Sequence, residues 1–279
     1  VKITPPFGYG EVVPLQKTDR VLLPAGGTPS FCRGLNALAL SYSEFAAAAR
    51  DYPIAFVSAD NRASFAPVIV LGLADGANLF VDAAGDWDPA VYLPAYVRRY
   101  PFCISKVYRD GRPTGERIVC VARDYLDPGG VALFDAEGRP TPRWQPIERL
   151  LAEYEADLDR TAEMCAALAQ LGLFTPFTMD VQEGARRTTR LAGMYRVDEE
   201  RLAALAAQEL KTLVARGFMG RVYAHLHSLA NFARLYARER QSGSAARDGP
   251  PQARHAAPSE ASREDSATGS RRSRRSPPR

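Results

Sequence analysis

The hydrophobic pattern changes period once along this chain, near residue 143. Before that point, short apolar runs are separated by Gly, Pro, Asn and Asp. After it, apolar residues recur every three or four positions. Strands grouped before helices argue against an alternating βα array, so the expected class is α+β. An antiparallel β-meander or partly closed sheet over 1–143 is followed by a three-helix region over 144–240, and the two share one domain, 1–240.

Turn chemistry sets the expected strands. Ile54–Ser58 and Pro67–Leu73 flank a turn at Asp60-Asn61, and Asp75-Gly76 separates the second run from Asn78–Asp82. Asp-Gly favours a two-residue hairpin because both central positions take positive φ. Asp110-Gly111 turns Phe102–Arg109 back onto Arg117–Arg123, and Val131–Phe134 is a sixth short strand. A short helix over Ser43–Arg50, capped by Ser43, precedes the first strand. Beyond 143, Ile147, Leu151, Tyr154, Leu158, Thr161, Cys165 and Leu168 form one helical stripe that closes at Gly172. Further helices are expected from Asp198 to Gly217 and from Gly220 to Arg238, with Phe174–Arg196 irregular between the first two and Thr178-Met-Asp180 in it open as the start of a strand or a loop.

Charge is unevenly placed. The chain of 279 residues carries 36 basic and 32 acidic side chains, a net of +4. Eight Arg against four acidic residues in 241–279 account for all of that excess, so 1–240 is neutral. The basic balance therefore belongs to a Ser-, Arg- and Pro-rich tail, expected to be disordered, and does not indicate specific nucleic-acid recognition. No apolar stretch approaches the roughly 20 residues that cross a bilayer. The first residues, VKITPPFGYG, contain no signal-like apolar run. A cytoplasmic protein is expected, with the cell surface reached by a signal-independent route as the alternative.

No P-loop, GxSxG, HExxH or dinucleotide-type glycine motif occurs. Cys32, Cys103, Cys120 and Cys165 have no metal-finger spacing. They read as buried thiols, with a Cys103–Cys120 disulfide left open. No metal or cofactor is implied. The richest stretch, Asn78–Phe102, places Trp87, Tyr92, Tyr96 and Tyr100 beside Arg98 and Arg99. Rings next to guanidinium groups suit a ligand or partner surface through stacking and charge-assisted hydrogen bonds. They equally suit the packed underside of a Pro-rich crossover. A rival polar site, and with it an unrecognised enzyme, would need Asp82, Asp86 or Asp88 to meet His225 or His227. The acidic loop misses EF-hand spacing, and the two His diverge by about 200° on a helix.

Leu35-Asn36-Ala37, Tyr52-Pro53-Ile54, Leu71-Gly72-Leu73, Asn78-Leu-Phe80 and Gly85-Asp-Trp87 occur in that order. The block Tyr92-Leu-Pro94-Ala-Tyr96-Val-Arg-Arg99-Tyr-Pro-Phe102 follows, then Leu133-Phe134-Asp135 with Gly138, and Tyr223-Ala-His225-Leu with Ser228-Leu. Together they resemble the SapC family of bacterial proteins over roughly residues 5–238. The resemblance implies an accessory or binding protein without established catalysis, linked to surface-layer, envelope or uptake systems. Its alternative is a metal- or cosubstrate-dependent enzyme acting alongside halogenase-like enzymes. The implied partners are an unidentified protein or small molecule and envelope components, and the family supplies no catalytic residues to carry over.

Overall fold

The computed structural model describes residues 3–247 apart from 25, 61, 110–111 and 184–186. The Asp110-Gly111 turn and the tail beyond Arg247 therefore lie outside the described residues. The fold is mixed α and β with antiparallel pairing, as the change of period requires. Its strands are β1 (Val12–Pro14), β2 (Arg20–Val21), β3 (Ala37–Ala39), β4 (Ile54–Val57), β5 (Ala66–Val70), β6 (Phe102–Arg109), β7 (Arg112–Ala122), β8 (Val131–Ala132), β9 (Phe174–Glu183) and β10 (Arg187–Val197). They form an open three-stranded sheet β1-β7-β6, a five-stranded sheet β3-β5-β4-β10-β9, and the small pair β2-β8.

The helices are α1 (Phe45–Ala48), α2 (Ala95–Arg98), α3 (Trp144–Gln170), α4 (Glu199–Ala203), α5 (Ala207–Ala215), α6 (Phe218–Ser228) and α7 (Asn231–Arg247). The stripe read from Ile147 onward is the buried side of α3, with Leu151, Tyr154, Thr161, Cys165 and Leu168 all inside. One apolar cluster runs from Tyr9 to Leu235 and joins the five-stranded sheet to the helices. A smaller one gathers Val21, Phe102, Val121, Leu133, Trp144 and Leu151.

Several local expectations change. Phe174–Arg196 is not irregular: β9 and β10 form a long hairpin, and β10 pairs with β4 to extend the main sheet. Its alternating Phe177, Met179 and Val181 carry the strand period, but Gly193, at φ 79°, breaks the repeat on β10 where the register shifts between Leu191 and Met194. Asn78–Asp82 does not pair as a strand; Val81 only bridges Trp87, because Asn78 spends its amide on the Cys32 carbonyl and accepts from Phe80 N–H. The cap of the first helical turn is Ser41, whose partner in a reciprocal capping box is Glu44, while Ser43 hydrogen-bonds Asp157.

The second helix expected after 143 divides into α4 and α5 at Ala206, which is extended and donates its N–H to Glu209. The last divides at Leu229–Ala230. There Ser228 Oγ accepts from Ile54 N–H on β4, and Asn231 Nδ2 donates to the Ala49 and Tyr52 carbonyls. Both anchors satisfy backbone groups that the strand and helix ladders leave open. No helix among the described residues is long and apolar enough to cross a membrane.

Candidate functional site

The acidic loop is built by its own carboxylates. Asp82 Oδ1 accepts from Gly85 N–H at 2.8 Å and Asp86 N–H at 2.9 Å. The Asp86 N–H is the main cause holding the Asp82 carboxyl below its ordinary range. Gly85 sits at φ 99°, and a Cβ there would meet the Arg33 guanidinium, so only glycine closes this turn. Asp88 accepts from Ala90 N–H at 3.0 Å and pairs with Arg238 of α7 at 2.8 Å. Arg238 also covers the Phe80 ring at 4.5 Å. The loop is thus clamped to α7, and Asp86 faces solvent.

His225 lies elsewhere. Its Nε2 accepts from Val197 N–H at 3.1 Å and its Nδ1 donates to the Ile54 carbonyl at 2.8 Å, tying β10 to β4. Burial pushes its pKa down to about 4, so the ring is neutral. His227 is exposed, with its ring 6.4 Å from that of Tyr223. The rival site therefore does not assemble. Asp82, Asp86 and Asp88 are loop and clamp groups, and His225 has both nitrogens committed to backbone. No group of three metal-ligating side chains occurs among the described residues.

The aromatic block has more internal connection than its sequence suggests. Trp87 is buried, and its indole N–H donates to Tyr52 Oη at 3.0 Å. Tyr52 passes its own O–H to the Tyr92 carbonyl. Tyr92 N–H donates to Asp51, and its hydroxyl donates to Glu44 Oε1 at 3.0 Å. Glu44 also accepts from Ala95 N–H at 2.6 Å, and on its other oxygen from Ser41 N–H at 3.0 Å and Ser41 Oγ at 2.7 Å. One buried carboxylate thus caps the turn at 42–44 and fixes the start of α2. Burial, then the Glu44 charge, pushes the Tyr92 phenol up to about 12, so it stays a neutral donor.

Arg99, 5% exposed, occupies a cage of phenol rings. Its guanidinium carbon is 4.5 Å from the Tyr96 centroid, 4.6 Å from Tyr154 on α3 and 5.7 Å from Tyr9. Each desolvated contact of this kind contributes on the order of 2 kcal/mol. The cage also gathers the N-terminal segment: Tyr96 donates to the Phe7 carbonyl at 2.6 Å, and Tyr9 to the Phe102 carbonyl at 3.0 Å. Arg99 Nε has no hydrogen-bond partner among the described residues. Tyr100 is half-buried among Tyr9, Phe31 and Tyr125, with its phenol pushed up to about 12, chiefly by burial.

A surface made of all six residues therefore does not exist. Trp87, Tyr96 and Arg99 face inward, because burying the rings and stacking the guanidinium between them satisfies both. Arg98 alone is exposed, with Tyr92 and Tyr100 half-buried. Arg98 is nevertheless held: Nε donates to the Leu93 carbonyl at 3.1 Å and Nη2 to Tyr92 Oη at 3.0 Å. Two of its five N–H donors are engaged, and no ion pair to it occurs among the described residues. Sequence reasoning missed Glu44, Tyr52, Tyr9 and Tyr154. Of these only Glu44 carried a local signal, the Ser41-x-x-Glu44 capping pattern.

The mixed antiparallel fold with a clamped acidic loop and a ring-caged arginine defines a helix-backed sheet protein, a class that names no reaction. Its family is more definite: the SapC family model matches residues 22–235, and the chain belongs to the SapC family. No curated protein and no solved structure matches it.

Proposed function

We propose that this chain is a binding or accessory protein that engages an acidic group on a partner through Arg98, without itself catalysing a reaction. The observation that carries this reading is the posture of Arg98. An exposed guanidinium usually loses rotamer freedom when it binds, at roughly 0.5–1.5 kcal/mol per immobilised side chain. Here the Leu93 carbonyl and the Tyr92 hydroxyl already hold it, and the buried Glu44 orients that hydroxyl. The side chain is ordered before a partner arrives. The resemblance to the SapC family supports placing the partner in surface-layer, envelope or uptake systems.

The test is a capture experiment with wild type, Arg98→Ala and Tyr92→Phe, each checked for folding by circular dichroism. Arg98→Ala is expected to abolish recovery of a partner, and Tyr92→Phe to weaken it while Arg98 remains present. A partner recovered equally by all three would place recognition elsewhere on the molecule.

A further inference from the structure

The three-stranded sheet holds a feature that neither family membership nor the Arg98 reading uses. Cys103 on β6 and Cys120 on β7 stand directly opposite each other. Both are fully buried and neither is oxidised. Ala122 N–H donates to the Pro101 carbonyl, two residues along the same ladder. Ladder bonds alternate by two residues, so 103 and 120 are a hydrogen-bonded pair, whose Cα atoms lie about 5.5 Å apart. Disulfides span about 4.4–6.8 Å between Cα atoms.

We propose that Cys103 and Cys120 form a dithiol that a hydroperoxide oxidises to a cross-strand disulfide. The surroundings divide the work between the two sulfurs. The two thiols act on each other, drawing the Cys120 thiol down and holding the Cys103 thiol up, and Cys120 Sγ lies 3.9 Å from the Ile118 carbonyl oxygen. Cys120 is taken as the attacking sulfur and Cys103 as the resolving one, an order that the two serine variants below test. Nearby, Ser105 Oγ lies 3.9 Å from Cys103 Sγ, and the Arg99 charge favours the Cys103 thiolate as it forms. Cys32 and Cys165 are also buried, but burial alone acts on them, pushing each up to about 12. They are internal controls.

The Cys120 thiolate attacks one oxygen of the peroxide. An S–O bond forms, the O–O bond breaks, and the departing oxygen takes a proton and leaves as water, or as an alcohol from an organic hydroperoxide. Cys103 then loses its proton and attacks the Cys120 sulfenic sulfur; the S–S bond forms as the S–O bond breaks, and the second oxygen leaves as water. Two thiols give up two electrons and the peroxide bond accepts them. Hydrogen peroxide is close to water in size, the smallest oxidant for a pair of fully buried sulfurs.

The experiment treats the reduced full-length protein with hydrogen peroxide, quenches it, and alkylates free thiols after denaturation. The expected thiol count falls from four to two and returns to four with reductant. Tryptic peptides 100–106 and 118–123 are then joined. Cys103→Ser is expected to stop at a dimedone-reactive sulfenic acid on Cys120, and Cys120→Ser to lose thiol no faster than Cys32 and Cys165 do. The proposal is overturned by wild-type protein that keeps four thiols while an unfolded control peptide is consumed. Linked peptides containing residue 32 or 165, or a Cys120→Ser variant oxidised as fast as wild type, would also overturn it. The wild-type readout stands even if a serine variant fails to fold.

Discussion

Acidification should weaken this fold through His225 before the carboxylates contribute. In the folded chain the ring is neutral, because burial leaves no solvation for a charge and Nε2 must accept from Val197 N–H. Its pKa falls from 6.5 to about 4. Unfolded, the ring protonates normally, so between about pH 6.5 and 4 the unfolded state binds the extra proton and stability falls as pH falls. One pKa unit corresponds to about 1.36 kcal/mol. Between about pH 7 and 4.5 the His225 contribution to this loss is therefore about 2 kcal/mol.

Urea unfolding of wild type and His225→Gln at both pH values isolates this effect. The carboxyls of Asp82, held down chiefly by the Asp86 N–H, and of Asp88, held down by the Ala90 N–H and then by Arg238, have lowered values; their contribution is lost mainly below the unfolded range, and it cancels between the two proteins. Wild type should lose about 2 kcal/mol more than the variant across the interval. A difference below about 0.5 kcal/mol, the scatter of an ordinary surface substitution, would refute the assignment of a neutral bridging imidazole.

Glu44→Gln turns one acceptor oxygen into a donor facing either Ser41 N–H or Ala95 N–H. A cost of about 2–4 kcal/mol is expected, read as a drop in Tm of roughly 5–15 °C. Gly72→Ala places a Cβ 1.9 Å from the Ala77 carbonyl oxygen, a backbone atom that cannot turn aside. It should destabilise by about 3 kcal/mol or more in chemical denaturation, against about 1 kcal/mol for an average substitution. Arg98→Ala, by contrast, should change stability by less than about 1 kcal/mol while removing partner capture. A large loss of stability in that variant would make Arg98 a scaffold residue instead.

Much of the resemblance to the SapC family consists of residues whose chemistry is turned inward. Gly72 admits the Ala77 carbonyl, Tyr52 receives the Trp87 indole, Ser228 and His225 satisfy both backbone groups of Ile54, and Asn78 holds the Cys32 carbonyl. Reading rings beside arginines as a surface overlooked that Arg99 finds its ring partners from remote parts of the chain. Tyr9 and Tyr154 are 90 and 55 positions away from Arg99 in the sequence.

The chain's own order determined what depends on local period and local turn chemistry. The turn-separated apolar runs ahead of a helical repeat carry the α+β class, the stripe from Ile147 fixes the buried side of α3, and Phe102–Arg109, read from the Asp110-Gly111 signal, is a strand. These are properties of residues a few positions apart, where side-chain direction follows backbone geometry. Tertiary structure alone decided the partners of β10, the breaks at Ala206 and Leu229, and which of two adjacent arginines faces water. Arg98 and Arg99 differ by one step of a short helix, and that step carries one onto the surface and the other between Tyr96 and Tyr154. The choice rests on groups brought together across the fold, because a buried charge or hydrogen-bonding group persists only where remote neighbours satisfy it.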